Sequence, residues 1–150
     1  MRVTVAAVGR VRDGPIADLI QDYARRLPWD LAFREVAEGR QAARRKAAEA
    51  EALLAAVPDG ALIVALDERG KTLTSEELAQ WIGRRRDGGE ANLAFLIGGA
   101  DGLDARVLDR SDLVLSLGRM TWPHLMARLM LVEQLYRAHT ILTGHPYHRV

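Results

Sequence analysis

The chain has 150 residues, 49% of them hydrophobic and 27% charged, with a formal net charge of +1. This is ordinary globular composition, at a length that buries a core without covalent staples and predicts one domain over 1–150. It has no cysteine, which excludes disulfides, thiolate metal sites and thiol nucleophiles and fits a reducing, cytoplasmic setting; nor does it carry the strong positive charge usual in non-specific nucleic-acid binders.

Residues 2–8 are β-branched at Val3, Thr4, Val5 and Val8 and predict a buried first strand. Their apolar run is too short for a secretory signal and stops at Gly9-Arg10 with no cleavage site. Gly14-Pro15 opens a helix with Ile16, Leu19, Ile20, Tyr23 and Leu27 on one face, and Pro28 ends it. Residues 31–38 read as a second strand. Residues 40–57 are alanine-rich and strongly helix-forming, with Ala43, Ala47, Ala50, Leu54 and Val57 as the packed face. After the turn Pro58-Asp59-Gly60, the apolar run 61–66 predicts a strand buried on both sides. Thr74-Ser75-Glu76-Glu77 is a capping box for a helix that runs to Arg86 and is closed by Gly88-Gly89. Residues 92–97 form another buried strand, 105–109 a short helix, 113–117 a fifth strand, and 123–143 the last and most apolar helix. No segment approaches the roughly eighteen uninterrupted apolar residues of a membrane span.

Strands alternating with helices predict an α/β fold with a mainly parallel sheet flanked by helices. Ligands of such sheets lie beyond the carboxyl ends of the strands. Leu66-Asp67, Gly98-Gly99 and Leu117-Gly118 are such ends, so one pocket should lie under three loops. Gly98, Gly99 and Gly102 either form a tight turn or admit a ligand close to the backbone. They are no standard phosphate cradle: the first strand ends in Gly9-Arg10-Val11-Arg12, and G-x-x-x-x-G-K-[ST] is absent. Thr121 can cap the final helix, Pro123 suits its first turn, and Trp122 belongs either to the core or to the pocket mouth.

Leu125, Met126, Leu129, Met130, Leu131, Val132, Leu135, Ile141 and Leu142 leave that helix little polar surface. A helix on one side of a sheet needs only one apolar face. The surplus predicts a second copy in a two-fold dimer. Arg128, Glu133 and Arg137 interrupt the surface and should pair with one another or point into a site, because buried charge is costly alone. The tail His145-Pro146-Tyr147-His148-Arg149 is either a frayed end or a base-recognising arm in which Tyr and His stack and Arg meets phosphate. Its histidine spacing matches no standard metal motif. Arg84, Arg85 and Arg86 suit the end of their helix, whereas Arg40, Arg44, Arg45 and Lys46 lie where the dipole disfavours cations. For that second group the choice is between phosphate contacts and a solvated face.

Leu96-Ile97-Gly98-Gly99-Ala100-Asp101-Gly102-Leu103, Met120-Thr121-Trp122-Pro123-His124, Val132-Glu133-Gln134-Leu135-Tyr136-Arg137-Ala138 and the ending His145-Pro146-Tyr147-His148-Arg149 together resemble the bacterial 23S rRNA (pseudouridine-N3)-methyltransferases of the SPOUT class. The order and spacing of these motifs are specific, and the likeness covers essentially the whole chain. It implies a SPOUT-type fold with a C-terminal trefoil knot, a cytoplasmic homodimer, and S-adenosylmethionine as cofactor, with no metal and no membrane partner. By the family pattern the cofactor lies against Leu66, Gly98, Gly99, Leu117, Gly118, Arg119, Met120, Thr121 and Trp122. The implied substrate is a pseudouridine in a 23S rRNA stem-loop within the 70S ribosome. His145, Tyr147 and His148 are then the catalytic candidates, and Arg128, Arg137 and Arg149 the RNA-binding ones. The alternative is a non-catalytic ribosome- or RNA-binding factor of the same fold.

Overall fold

The computed structural model describes residues 1–149. In chain order it contains β1 (Arg2–Val8), α1 (Pro15–Arg26), β2 (Asp30–Val36), a short 3-10 turn (Ala42–Arg44) running into α2 (Arg45–Ala55), β3 (Leu62–Thr72), α3 (Ser75–Asp87), β4 (Asn92–Ile97), α4 (Ala105–Asp109), β5 (Leu113–Ser116) and α5 (His124–Thr143). All strand pairs are parallel, in the order β2-β1-β4-β3-β5. The predicted α/β architecture is therefore present.

Strand alternation divides the core into two layers. Val3, Val5, Val64, Leu93, Phe95 and Leu115 face Leu78 and Ile82 of α3 and Leu131 and Leu135 of α5. Ala6, Val8, Ile63, Ala65 and Leu96 face Ala50 and Leu53 of α2 and Val107 beside them. The packed face of α2 differs in part from the expected one. Ala50 is buried, and Leu54 and Val57 pack partly buried against the same core as expected, but the fully buried residues beside Ala50 are Glu49 and Leu53. The helix begins at Arg45 rather than residue 40, which changes the turn that meets the sheet. The Thr74–Glu77 capping box is present in both directions, at 3.1 and 2.7 Å.

Strand β3 runs six residues past the predicted end at 66, through an irregularity between Leu66 and Lys71 on the β5 side. Gly70 makes this possible. A Cβ there would lie 2.6 Å from the Val114 carbonyl oxygen, so only glycine lets the excursion fold against β5. Thr121 does not cap α5. Pro123 occupies the cap position with no side-chain cap bond, and the Thr121 hydroxyl donates to Glu68 Oε2 at 3.2 Å.

Arg128 needs a correction as an RNA-binding residue. Its side chain is only 3% exposed. Nη1 donates to Glu35 Oε2 at 2.6 Å and Nη2 to the Gly9 carbonyl at 3.2 Å. The same Glu35 oxygen accepts the Val11 N–H at 2.8 Å. One ion pair thus fastens α5 to the ends of β1 and β2, and the enclosed guanidinium is not presented to an external phosphate.

Burial acts to raise the Glu35 carboxyl, but the Val11 amide and the Arg128 guanidinium outweigh it and hold it below its ordinary 4.5. A depressed folded-state pKa gives stability that is complete above the ordinary value and is lost as pH falls through the depressed one. Glu35→Gln should therefore cost about 2 kcal/mol at pH 7, less than a fully buried pair because Glu35 is partly solvated. It should also flatten the acid-side decline below about pH 4.5; urea titrations at neutral and acid pH measure both effects.

Candidate functional site

A cavity of about 820 Å³ opens at the carboxyl ends of β3, β4 and β5. That is ample for a cofactor-sized ligand. Its floor is the turn after β4. Gly98 is buried, and a Cβ on it would sit 2.8 Å from the Gly102 carbonyl carbon, so the two arms of the turn touch backbone to backbone. Gly99 and Gly102 form an antiparallel bridge, and the Gly102 N–H donates to the Gly99 carbonyl at 3.0 Å. The wall from β5 is stiffened by Ser116, whose hydroxyl donates to the Gly118 carbonyl at 2.9 Å and accepts the Gly118 N–H at 3.0 Å.

Of the residues expected around a cofactor, Leu66, Gly98, Gly99, Leu117, Gly118, Met120, Thr121 and Trp122 all line this cavity. Arg119 does not; it is exposed on the same loop. Trp122 is 42% exposed and Met120 75% exposed, so the tryptophan stands at the mouth and not in the core. Asp67, at a strand end expected to border the pocket, lines it as well, together with Lys46, Glu68, Arg69 and His124, which were not among the expected cofactor contacts. Asp67 is gripped by Arg69 through contacts of 3.0 Å to both oxygens, and this bonding holds its carboxyl below the usual range. The missed signal was the run of charges directly after a buried strand.

The tail is ordered and built into α1, α3 and α5 rather than frayed. The Tyr147 hydroxyl donates to Glu133 Oε1 at 2.9 Å and lies 3.3 Å from the Tyr23 hydroxyl. Its ring meets Tyr136 edge-on at 4.8 Å, with the Arg137 guanidinium 4.8 Å above it. Arg137 donates to Glu133 Oε1 at 2.6 Å. Arg137 Nη1 also stands 3.1 Å from His148 Nδ1, and Glu76 Oε1 stands 2.7 Å from His148 Nε2. A guanidinium only donates, so Nδ1 carries the lone pair and Nε2 carries the hydrogen that faces Glu76. Burial first, then the Tyr23 and Glu133 contacts, push the Tyr147 phenol well above its ordinary value, so it keeps its proton. The His148 bond holds Glu76 below the usual carboxylate range.

His145 is exposed, its Nδ1 accepting the Tyr147 N–H at 3.2 Å. His139 belongs to the packing, edge-on to Trp29 at 5.8 Å, and burial lowers its pKa. Arg149 is exposed. None of His145, Tyr147 and His148 lines the large cavity of its own chain. A second cavity, of about 560 Å³, lies between the two groups: Tyr23 and Glu133 line it on the tail side, while Leu117 and Gly118 line it and the large cavity together. The Arg137–Glu133 pair is the one expected from the sequence, whereas Tyr23 and Glu76 are partners that it did not reveal, because helix and strand patterning says nothing about which polar groups meet across the fold.

The family model described as predicted SPOUT methyltransferase matches residues 1–148. The chain is 54% identical over 151 residues to the ribosomal RNA large subunit methyltransferase H of Rhodospirillum centenum, covering 99% of both chains. It is 53% identical to the protein of the same name from Paramagnetospirillum magneticum, again over 99% of both. Among solved structures, a probable methylase family protein from Haemophilus influenzae matches with a TM-score of 0.60 at 12% identity, over 99% of this chain and 70% of that one. A protein from Legionella pneumophila described as a methyltransferase, solved with S-adenosylmethionine bound, matches with a TM-score of 0.51 at 12% identity, over 92% of this chain and 66% of that one. These two structural likenesses speak for the fold.

Glu133 is the shared acceptor of the tail cluster. Glu133→Ala should free the tail, because a charged hydrogen bond of this kind contributes about 1.5 kcal/mol or more. Amides of residues 145–149 should then exchange about tenfold faster or more. Exchange in β4 should be unaltered.

Proposed function

The chain belongs to the SPOUT methyltransferase family, and from that premise we propose that it methylates large-subunit ribosomal RNA with S-adenosylmethionine as donor. The observation that carries the reading is the cavity of about 820 Å³ under the β3, β4 and β5 loops, where glycine turns and apolar side chains share the wall with the charged Lys46, Asp67, Glu68 and Arg69. Glycine turns and leucines suit an adenine ring, which is recognised through its edge and its faces rather than by charge. Leu66, Gly98, Gly99, Leu117, Gly118, Met120, Thr121 and Trp122 are the residues that would hold the cofactor, with Arg119 at the rim. The C-terminal knot of the family is part of the same proposal.

The finer proposal is methylation at N3 of a pseudouridine within the assembled 70S ribosome, in the cytoplasm. S-adenosylmethionine, when bound, supplies a methyl group on a sulfonium whose sulfur leaves as a neutral thioether. The chain must align the base nitrogen with that carbon and remove the N3 proton as the new bond forms. His148 is the base in this reading. Its Nδ1 lone pair is released from Arg137 to take the proton, and Glu76 beside Nε2–H stabilises the imidazolium. Tyr147, held protonated, orients the base by stacking or donation. Arg137 and Arg149 hold phosphate. His145 flanks them.

Because the tail lies away from the large cavity of its own chain, the proposal includes a homodimer in which one tail completes the partner's site. Exposed Leu19, Met120 and Trp122, with half-buried Leu125, Met126, Leu129 and Met130 on α5, support an apolar contact face. Leu19→Lys should shift the protein from dimer to monomer in sedimentation velocity; an unchanged dimer would place the contact elsewhere.

Deleting residues 145–150 should lower methylation about 10²- to 10⁴-fold, the range of a lost general base. S-adenosylmethionine binding by calorimetry should stay intact. Full activity in the truncated protein would remove the tail from the mechanism. The decisive experiment on the reading itself incubates the protein with labelled donor and 70S ribosomes lacking the modification, then maps the label. Label on one large-subunit pseudouridine is expected; no donor binding at all would favour a non-catalytic RNA-binding factor.

A further inference from the structure

The cations of this chain are divided between the two ends of the sheet, and they are neutralised very differently. In a parallel sheet with helical crossovers, the helices end where the strands begin. Arg25 and Arg26 close α1, and Arg84, Arg85 and Arg86 close α3, all at the end away from the cavity. There the helix dipoles favour them. Arg25 and Arg26 also face Asp22, and Arg86 faces Asp87.

At the cavity end the loops carry Arg10 and Arg12 after β1, and Arg40, Arg44 and Lys46 after β2 and into α2. All five are exposed. Among the described residues none of them lies within ion-pair distance of a carboxylate. Asp13 and Glu38 are the exposed acids on the same two loops, and at longer range Arg10 acts on Glu35 and Lys46 on Asp67 and Asp104. Arg44 and Lys46 stand at the start of α2, where the dipole opposes a positive charge.

These segments are also fixed to the cavity on two sides. The loop after β1 is pinned by the Val11 amide on Glu35, and a Cβ on Gly9 would lie 3.3 Å from the ring of His124, which lines the cavity. On the other side, the Arg45 Nε donates to the Gly39 carbonyl at 2.9 Å, and its Nη1 meets Asp101 of the β4 turn at 3.4 Å. Buried Glu49 accepts the Gly39 N–H at 3.0 Å. Lys46 itself lines the cavity.

We propose that Arg10, Arg12, Arg40, Arg44 and Lys46 form a docking surface for the phosphate backbone of RNA, set against the cofactor cavity so that backbone contacts fix the register of the target base. Phosphate contacts of this kind carry affinity and position, not sequence. The surface rests on the rRNA methyltransferase reading and adds to it where the chain grips its substrate. It is separate from the tail, which would handle the base.

The test uses the full-length protein and 70S ribosomes lacking the modification. It compares Arg10→Ala/Arg12→Ala/Arg40→Ala/Arg44→Ala with the control Arg84→Ala/Arg86→Ala at the opposite end. Cosedimentation gives affinity for ribosomes, calorimetry gives affinity for S-adenosylmethionine, and label transfer gives KM and kcat. Four lost phosphate contacts should weaken ribosome binding about a hundredfold, raise KM in step and flatten the salt dependence. Donor affinity and kcat at saturation should hold, and the four Arg→Lys replacements should restore most of the binding. Unchanged ribosome affinity overturns the surface, as does an equal loss in the control. Lost donor affinity overturns it too, by making the loops part of the cofactor site. Capture of the wild type by anionic phosphatidylglycerol vesicles in place of ribosomes overturns it in favour of a membrane. Wild-type protein that binds ribosomes through these arginines but transfers no label would instead sink the methyltransferase reading and leave the surface standing.

Discussion

The backbone contact between Gly98 and Gly102 sets the geometry of everything at the carboxyl end of the sheet. Strand β4 lies between β1 and β3, and its exit turn must clear both neighbours. With no side chain on Gly98, the turn closes on itself within 2.8 Å of the place a Cβ would occupy. The space saved leaves a cavity floored by peptide groups. The other two walls follow from the same sheet. Strand β3 overruns β4, bends at Asp67 and returns along β5, and Glu68 on that bend takes the Thr121 hydroxyl. Three loops that are far apart in sequence thereby hold one another.

The tail is ordered by polar and aromatic contacts, which is why an apolar pattern does not foretell it. Glu133 accepts from Arg137 and from Tyr147, and a half-buried carboxylate with two such donors is strongly favoured over a solvated one with none. Tyr147 adds ring contacts to Tyr136 and Arg137. On the reading proposed above, a substrate base entering here would compete with these bonds, and the Arg137–His148 contact at 3.1 Å is longer than the Arg137–Glu133 one at 2.6 Å. That ordering favours His148 as the side chain that exchanges partners while Arg137 stays anchored.

The fold was legible where local chemistry decides. The Thr74 capping box, Pro15 in the first turn of α1 and the uninterrupted apolar run of β4 each state their element without help from the rest of the chain. The three strand ends that line the cavity were legible for the same reason. What was hidden depends on contacts across long separations. Arg128 and Glu35 are 93 positions apart, and nothing in either neighbourhood shows that they meet. The run-on of β3 hangs on Gly70 against Val114, a contact that no local pattern in the sequence marks. The buried face of α2 was placed only in part: Ala50, Leu54 and Val57 meet the core as expected, but an alanine-rich helix offers several near-equivalent faces, and Glu49 and Leu53 take the deepest positions.

A net charge of +1 conceals the electrostatic design rather than arguing against an RNA partner. Carboxylates and helix dipoles absorb the arginines at the amino end of the sheet, as Asp22 does for Arg26 at 3.0 Å. At the carboxyl end Asp67 and Asp101 are already committed to Arg69 and Arg45. Arg10, Arg12, Arg40, Arg44 and Lys46, with no carboxylate at ion-pair distance among the described residues, lie on the loops at that end. Exposed positive charge thus stands beside the opening even though the molecule as a whole is nearly neutral. Such an arrangement gives weak attraction to nucleic acid at large and strong attraction only where phosphates can reach both loops together.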